Sequence, residues 1–212
     1  MAQPQNQIQR AKQGMTVNYG APTVFDQPLY DRVNFPAAGT TAQLNFFSTQ
    51  FGATATLIRA GATGSFQKTK RDTNLTTSGQ VSGKTYVVGA ISVAYIHEDE
   101  GEVTNPTDRD KLRNGGWCEF KIGDGLVFEL PLVYLPEMNP IVIGSTTTTN
   151  TTMLGSVGGG SLMFPRLKFR QPVTIPPNQS FTFNMNWDGT VALTKAIDIQ
   201  VYLHSVQLRP GS

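Results

Sequence analysis

A chain of 212 residues with a formal charge of +2, one cysteine and 15% charged side chains suits one large β-domain or two small ones. It is long enough to bury a core without disulfide staples. The lone Cys118 excludes an intramolecular disulfide framework, the near-neutral charge does not by itself point to nucleic acid, and no window approaches the ~20 apolar residues of a membrane-spanning helix.

Residues 1–20 form a Gln-rich arm, with Gln3, Gln5, Gln7, Gln9 and Gln13 around two charged side chains, Arg10 and Lys12. Ile8, Ala11 and Met15 fall at helical spacing, too thin a stripe to seat a helix. Such an arm is either a frayed terminus or a segment docked on something larger. The expectation is docking on a neighbouring subunit, with Arg10 and Lys12 at the contact. MAQPQNQIQRAKQGM carries no apolar run of signal-peptide type, which points to synthesis in a cytoplasm without standard export.

Residues 21–212 read as one β-sandwich domain. In 21–38, Pro22, Pro28 and Pro36 interrupt Val24, Phe25, Leu29, Tyr30, Val33 and Phe35. That density of proline predicts an extended segment along the sandwich, not a central strand. The first strand is expected within Thr41–Ser48, with Leu44 and Phe46 on one face. A second follows at Thr54–Arg59, and Gly61 and Gly64 mark a turn.

The stretch 72–96, DTNLTTSGQVSGKTYVVGAISVAYI, is the longest β-rich run, with Val87, Ile91, Val93 and Tyr95 on one parity. Within it GQVSGKT (Gly79–Thr85) mimics a phosphate-binding loop. The spacing between its glycines is one residue short, and strand-forming residues follow where that motif needs a helix. His97–Glu102, HEDEGE, is acidic enough to hold a hard cation through carboxylates, but it lacks the Ca²⁺-loop spacing and also reads as a solvated loop at a strand end. Asn105–Arg113 is the one helix, with Asn105 as cap, Pro106 first, Asp108 in the first turn, and Gly115 and Gly116 ending it. Its length suits a connector.

Trp117–Ile122 alternates as a strand, and Gly123–Gly125 makes a turn. Leu126–Leu135 is nearly continuous in apolar residues, which predicts burial on both sides, with Pro131 at an edge or bulge. Gly144–Ser161 is Thr- and Gly-rich, either a contact loop or Thr-rich β-structure. Three strands close the chain. Leu167 and Phe169 alternate with Arg166, Lys168 and Arg170. Phe181, Phe183, Met185 and Trp187 alternate with polar residues. Ile197, Ile199, Val201 and Leu203 alternate with Asp198, Gln200, Tyr202 and His204. The apolar phase changes at Ser205, since Val206 and Leu208 take the other parity. That predicts a bulge or a change of partner, and it makes Val206 and Leu208 candidates for contact with another subunit.

Catalytic chemistry finds little material. Two histidines and one cysteine do not supply a metal site of cupin type, and no G-x-S-x-G elbow supports a serine triad. His204 reads as a surface residue, Cys118 as a small buried apolar group, and Trp187 as core. Arg166, Lys168 and Arg170 project from one strand face, either as a contact for an anionic partner or as cations paired with acidic groups of a neighbour. No catalytic residue, metal, cofactor or small-molecule substrate is assigned.

DTNLTTSGQVSGKTYVVGAISVAY and IPPNQSFTFNMNW…AIDIQVYLHSVQLRP resemble patterns in jelly-roll capsid proteins of tailless icosahedral bacterial viruses. The likeness lies in Thr73–Thr76 leading into a strand, in a Pro-rich corner before an F-x-F strand (Ile175–Phe183), and in a last strand ending at Leu208–Pro210. It covers about half of the chain. The resemblance implies an all-β fold: a single eight-stranded jelly-roll sandwich with one short helix, long loops and an extended N-terminal arm. It also implies a structural role in the virion rather than an enzyme, with copies of itself and other capsid proteins as partners and the arm in reach of genome or internal membrane. The competing class is a β-sandwich module that binds glycan or receptor, such as a viral spike or tail component, with Trp117 as a candidate platform. An enzyme on the same scaffold ranks third.

Overall fold

The period-two segments become strands wherever a second layer meets their apolar face. A computed structural model describes residues 23–97, 106–138, 144–147, 150–153 and 166–209. In chain order the elements are β1 (Thr23–Asp26), β2 (Leu29–Phe35), β3 (Gln43–Phe46), β4 (Thr54–Arg59), β5 (Ala62–Gln67), β6 (Thr85–His97), α1 (Pro106–Gly115), β7 (Gly116–Ile122) and β8 (Gly125–Pro131). A 3₁₀ turn (Leu132–Tyr134), β9 (Gly144–Thr147), β10 (Asn150–Met153), β11 (Leu167–Ile175), β12 (Phe181–Trp187) and β13 (Ile197–Arg209) follow. The fold is mostly β, and all of these strands pair antiparallel.

Two sheets carry the core. In the first, β13 lies between β6 and the β1/β2 edge, and β11 flanks β6. In the second the order is β3-β12-β7-β8. Ile197, Ile199, Val201 and Leu203 of β13, with Ile91, Val93 and Tyr95 of β6, face Phe181, Phe183, Met185 and Trp187 of β12 and Cys118 and Phe120 of β7. Each such side chain stabilises the fold by ~1.5–3 kcal/mol on burial. A run of rings crosses the sandwich: Phe46 to Phe183 at 5.8 Å, Phe183 to Phe120 at 6.5 Å, Phe120 to Phe128 at 5.6 Å and Phe128 to Phe169 at 5.3 Å. Offset and edge-on contacts of this kind add to the area term. Burial pushes the Cys118 thiol up to about 12, which keeps it protonated and inert.

The polar face of β13 is not solvent-exposed as its alternation suggests. Asp198 and Gln200 are buried together with Arg32, Asp72 and Lys68, because the β4–β5 hairpin and the segment after it lie over this end of the sheet. Ala60 and Gly61 both take positive φ, 48° and 76°, as a two-residue hairpin turn requires. The expected turn glycine Gly64 sits instead within β5, where a Cβ would stand 3.0 Å from the Phe66 ring. Asp198 accepts hydrogen bonds from Arg32 Nε at 2.6 Å, Asn34 Nδ2 at 2.7 Å and the Ile58 amide at 2.9 Å. Arg32 Nη2 donates to the Ile58 carbonyl at 2.9 Å. Asp72 pairs with Arg59 and accepts from the Thr69 amide and hydroxyl at 2.7 and 2.8 Å. Burial raises the Asp72 carboxyl, but the Thr69 hydrogen bonds and Arg59 outweigh it and leave it below its ordinary value. Lys68 Nζ meets Asp31 at 2.6 Å, and Asp31 also accepts from the Phe47 amide.

The helix starts at Pro106, as expected; Asn105, the expected cap, lies outside the described residues. Trp187 Nε1 donates to the Leu112 carbonyl at 2.9 Å. Gly116 makes room for that indole, since a Cβ there would lie 2.6 Å from Trp187 Nε1. Asp108 accepts from the Thr194 amide at 2.6 Å, which ties the helix to the loop before β13.

Other expectations need correction. The proline-rich segment 21–38 holds two strands, because Pro28 falls between β1 and β2, and Pro36 follows β2, rather than breaking a ladder. In the run 72–96 only the part from Thr85 is strand. Leu126–Leu135 is not buried on both sides: β8 is the last strand of its sheet, Leu126 is 54% exposed, and the chain turns at Leu132–Tyr134. Part of the Thr-rich stretch pairs as the β9–β10 hairpin. The arm 1–20 and the acidic run 98–102 lie outside the described residues.

Candidate functional site

The outer face of the first sheet changes character at Gly89. His204 pairs with Ala90 and Ser205 with Val88, so Gly89 is an extra residue in β6. On the other side of β6, β11 passes from Lys168↔Ala90 to Val173↔Val88, leaving residues 169–172 outside the ladder. Two adjacent strands therefore bulge at one place, a recurrent way of re-aiming side chains. Glycine inside a run of β-branched residues was the signal for it. The bulge expected at Ser205 does occur there, but its extra residue sits in the partner strand. One consequence corrects the parity assigned to β6: Val88 is buried, whereas Val87 is only half-buried and shares the outer face with Val206.

An open cleft of about 450 Å³ occupies this kink. Val87, Gly89 and Val206 line its floor, with Asp26 on the β1 side and Arg166 and Lys168 on the β11 side. Two prolines, Pro28 and Pro172, are among its lining residues. Neither carries an N–H, so neither can extend a ladder. The Gln27–Pro28 break between β1 and β2 is sealed by Gln27 N–H to the Ser205 carbonyl at 3.1 Å and by Ser205 Oγ to the Gln27 carbonyl at 2.8 Å.

His204 is the half-buried titratable group of the cleft. One ring nitrogen, Nε2, shares a 2.7 Å hydrogen bond with Ser92 Oγ, and the ring stacks on Tyr202 at 6.5 Å. Burial lowers its pKa, and the nearby Arg166 guanidinium lowers it further, so the imidazole is neutral near pH 7. The surface-residue reading of His204 thus needs correction: the side chain is packed and bonded. Ser92, its partner, is fully buried, and Ser205 Oγ is engaged with backbone. The cleft presents cations, a neutral imidazole and one carboxylate, a set suited to holding an anionic group. Among the described residues no group of three or more His, Cys, Asp or Glu is placed to hold a metal ion.

The chain matches no family model and no characterised protein.

Of the residues singled out from sequence, Arg166, Lys168 and Val206 line the cleft. Leu208 lies further along the same outer face, half-buried and paired with Val24 and Thr85. Arg170 is exposed in the bulged segment of β11 and does not line the cleft. Arg10 and Lys12 lie outside the described residues. Asp26, Gly89 and His204 were not singled out as site residues. Trp117 and Trp187 do not form a shared platform: they are one apart from adjacent positions on opposite faces, with Trp117 paired to Asn186 and Trp187 to Gly116.

Proposed function

We propose that the chain is a structural virion protein that forms or decorates an icosahedral capsid, and that its sandwich is a single eight-stranded jelly roll. What supports this is the strand order. Counted along the chain, β2, β3, β6, β7, β8, β11, β12 and β13 are sandwich strands one to eight. One sheet then reads 1-8-3-6 and the other 2-7-4-5. Strands one and eight, two and seven, three and six, and four and five are neighbours, which is the winding of one long antiparallel ribbon rolled into two Greek keys. The same winding goes with the capsid resemblance of the Thr73–Thr76, Ile175–Phe183 and Leu208–Pro210 segments. A shell subunit needs a rigid body with surfaces for neighbours and no reactive centre. The low charge density suits large interfaces, where unpaired buried charge is costly. Copies of itself and other capsid proteins are the partners, with the arm carrying Arg10 and Lys12 reaching a neighbour, genome or internal membrane.

Sedimentation and electron microscopy of the purified protein test the reading. Shells, or capsomers of five or six copies, are the expected result. A trimer that binds glycans supports a spike instead, and a monomer with metal-dependent turnover overturns both.

A further inference from the structure

Gly89 has no local reason to be glycine. Its φ lies outside the left-handed region, and a Cβ placed on it would meet nothing within 4 Å. Gly52, Gly79, Gly83 and Gly189 have the same open space, but each takes a positive φ. At Gly116 a Cβ would collide with the Trp187 indole and with Leu132. A bulge residue of ordinary φ accepts any side chain, and glycine inside a strand weakens it. What the missing side chain secures is the space above it, and that space is the cleft that Gly89 lines. We propose that the cleft is a binding site for a phosphate monoester with a hydroxylated organic part, a sugar phosphate, whose phosphate sits between Arg166 and Lys168 above Gly89 and Ala90.

Strand pairing builds the site as a saddle. Lys168 pairs with Ala90, and Ala90 with His204, so the three stand in one row on the outer face. Neighbouring strands lie about 4.8 Å apart, which leaves roughly 10 Å between the Lys168 and His204 backbones with only a methyl group between them. Arg166 precedes Lys168 by two residues and lines the same cleft. Both cations are exposed, and among the described residues neither makes an ion pair. Two cations are matched by a dianion. A phosphate monoester carries about −1.5 to −2 charges at neutral pH, more than a carboxylate or a phosphodiester, and its oxygens suit the guanidinium fork. The cleft of about 450 Å³ is larger than a phosphate and falls in the size range of small-molecule sites. Asp26 on the β1 side selects the rest of the ligand: its carboxylate accepts from hydroxyls and repels a second acid. It opposes a nucleic-acid strand for the same reason, because successive phosphates would pass beside it. Val87 and Val206 give the carbon skeleton an apolar floor. The site needs no second copy, so it stands or falls apart from the capsid proposal.

Calorimetry of the full chain at low salt with ribose 5-phosphate tests the site. Wild type is expected to bind it at least about tenfold tighter than ribose or inorganic phosphate, since each alone forgoes part of the contacts. Gly89→Leu keeps every charge and fills the space; it should melt at or above the wild-type temperature and bind about tenfold more weakly or worse. Arg166→Gln/Lys168→Gln, at two exposed positions, should show the same loss. Nuclear magnetic resonance of the His204 ring gives an independent readout. Asp26, Arg166 and Lys168 are the charged groups that share the cleft with it, and a bound dianion favours the imidazolium, so saturation should raise its pKa. That rise should vanish in the double Gln variant. No saturable binding up to about 10 mM, or undiminished binding in a folded Gly89→Leu chain, overturns the inference. Should Gly89→Leu fail to fold, unchanged binding in the double Gln variant does so instead. Inorganic phosphate bound as tightly as the ester overturns the assignment of a sugar phosphate. A single-stranded oligonucleotide bound in place of ribose 5-phosphate overturns it in favour of a nucleic-acid face.

Discussion

The two ends of the outer face of the first sheet are built from the same strand and turn out opposite to their polarity. At one end Asp198 and Gln200 of β13 are buried beneath β4, β5 and the following segment. At the other, Val206 and Leu208 project beside an open cleft and are only half-buried. The polar end is covered because every charge placed there has a partner: Asp198 has three donors and Asp72 is held by Thr69 and Arg59. At the apolar end, among the described residues, the register of β11 against β6 shifts and a cleft opens beside the strand. Among the described residues, burial therefore follows the presence of a second layer rather than the hydrophobicity of the residues.

Substitutions can break this contrast, beginning with the covered end. Asp198→Ala takes the acceptor from Arg32 Nε, Asn34 and the Ile58 amide and leaves Arg32 only Asp72 at 3.7 Å as a counter-ion, and denaturant unfolding should register a loss of ~3–5 kcal/mol. Arg32→Met with Asp198→Leu removes both charges but still leaves the Asn34 amide and the Ile58 N–H without their acceptor, so it should restore only part of that loss. An equal loss in the double variant would show that the network supplies net stability rather than a means of seating the hairpin.

A smaller effect is expected at Asp108, where burial raises the carboxyl but Lys111 and the Thr194 and Lys195 donors outweigh it and hold it below its ordinary value. Asp108→Ala should cost about 1.5–3 kcal/mol at neutral pH, the range for hydrogen bonds to a charged group. The same lowering applies to Asp72. A carboxyl lowered in the folded state contributes stability that is complete above its unfolded value of about 3.9. That contribution fades as pH falls below there and is gone beneath the folded value. Urea titrations from pH 6 to pH 2.5 should show this acid limb, and it should shrink in Asp108→Ala.

The open end should respond least. His204 has its pKa lowered, so the unfolded chain takes up its proton first as pH falls. Its contribution is complete above the unfolded value of about 6.5 and is lost as pH drops through the lowered folded value. His204→Gln should flatten stability between pH 7.5 and pH 5. Val206→Ser with Leu208→Ser should change unfolding free energy by only about 0.5–1 kcal/mol in the isolated subunit. A large loss there would mean that the open end is integral to the fold, and the contrast would fail.

Much of the fold was legible because alternation is a local property. Phe181 to Trp187 and Ile197 to Leu203 announced their inward faces, and both lie in the core as read. Pro106, Asp108 and Gly115 marked the helix within two residues. The phase change at Ser205 pointed to a real bulge, though the extra residue is Gly89 on the neighbouring strand. Proline density misled at residues 21–38, because a proline between strands looks in sequence like one within a strand. Apolar continuity misled at Leu126–Leu135, because an edge strand of a sandwich and a central one share the same composition. For the site, Arg166, Lys168 and Val206 were named as contacts, but their convergence on one cleft required the pairing of β11, β6 and β13.

By itself the sequence determined which residues turn inward, where the chain turns, and that no disulfide holds it together. Those properties follow from side-chain period, from the backbone limits of Gly and Pro, and from one cysteine. Only the tertiary structure decided that Asp198 is buried and Val206 is not, that His204 is packed against Ser92, and that a cleft opens at Gly89. Each of these depends on what a distant segment lays over the sheet, and long-range placement is not encoded in any local pattern.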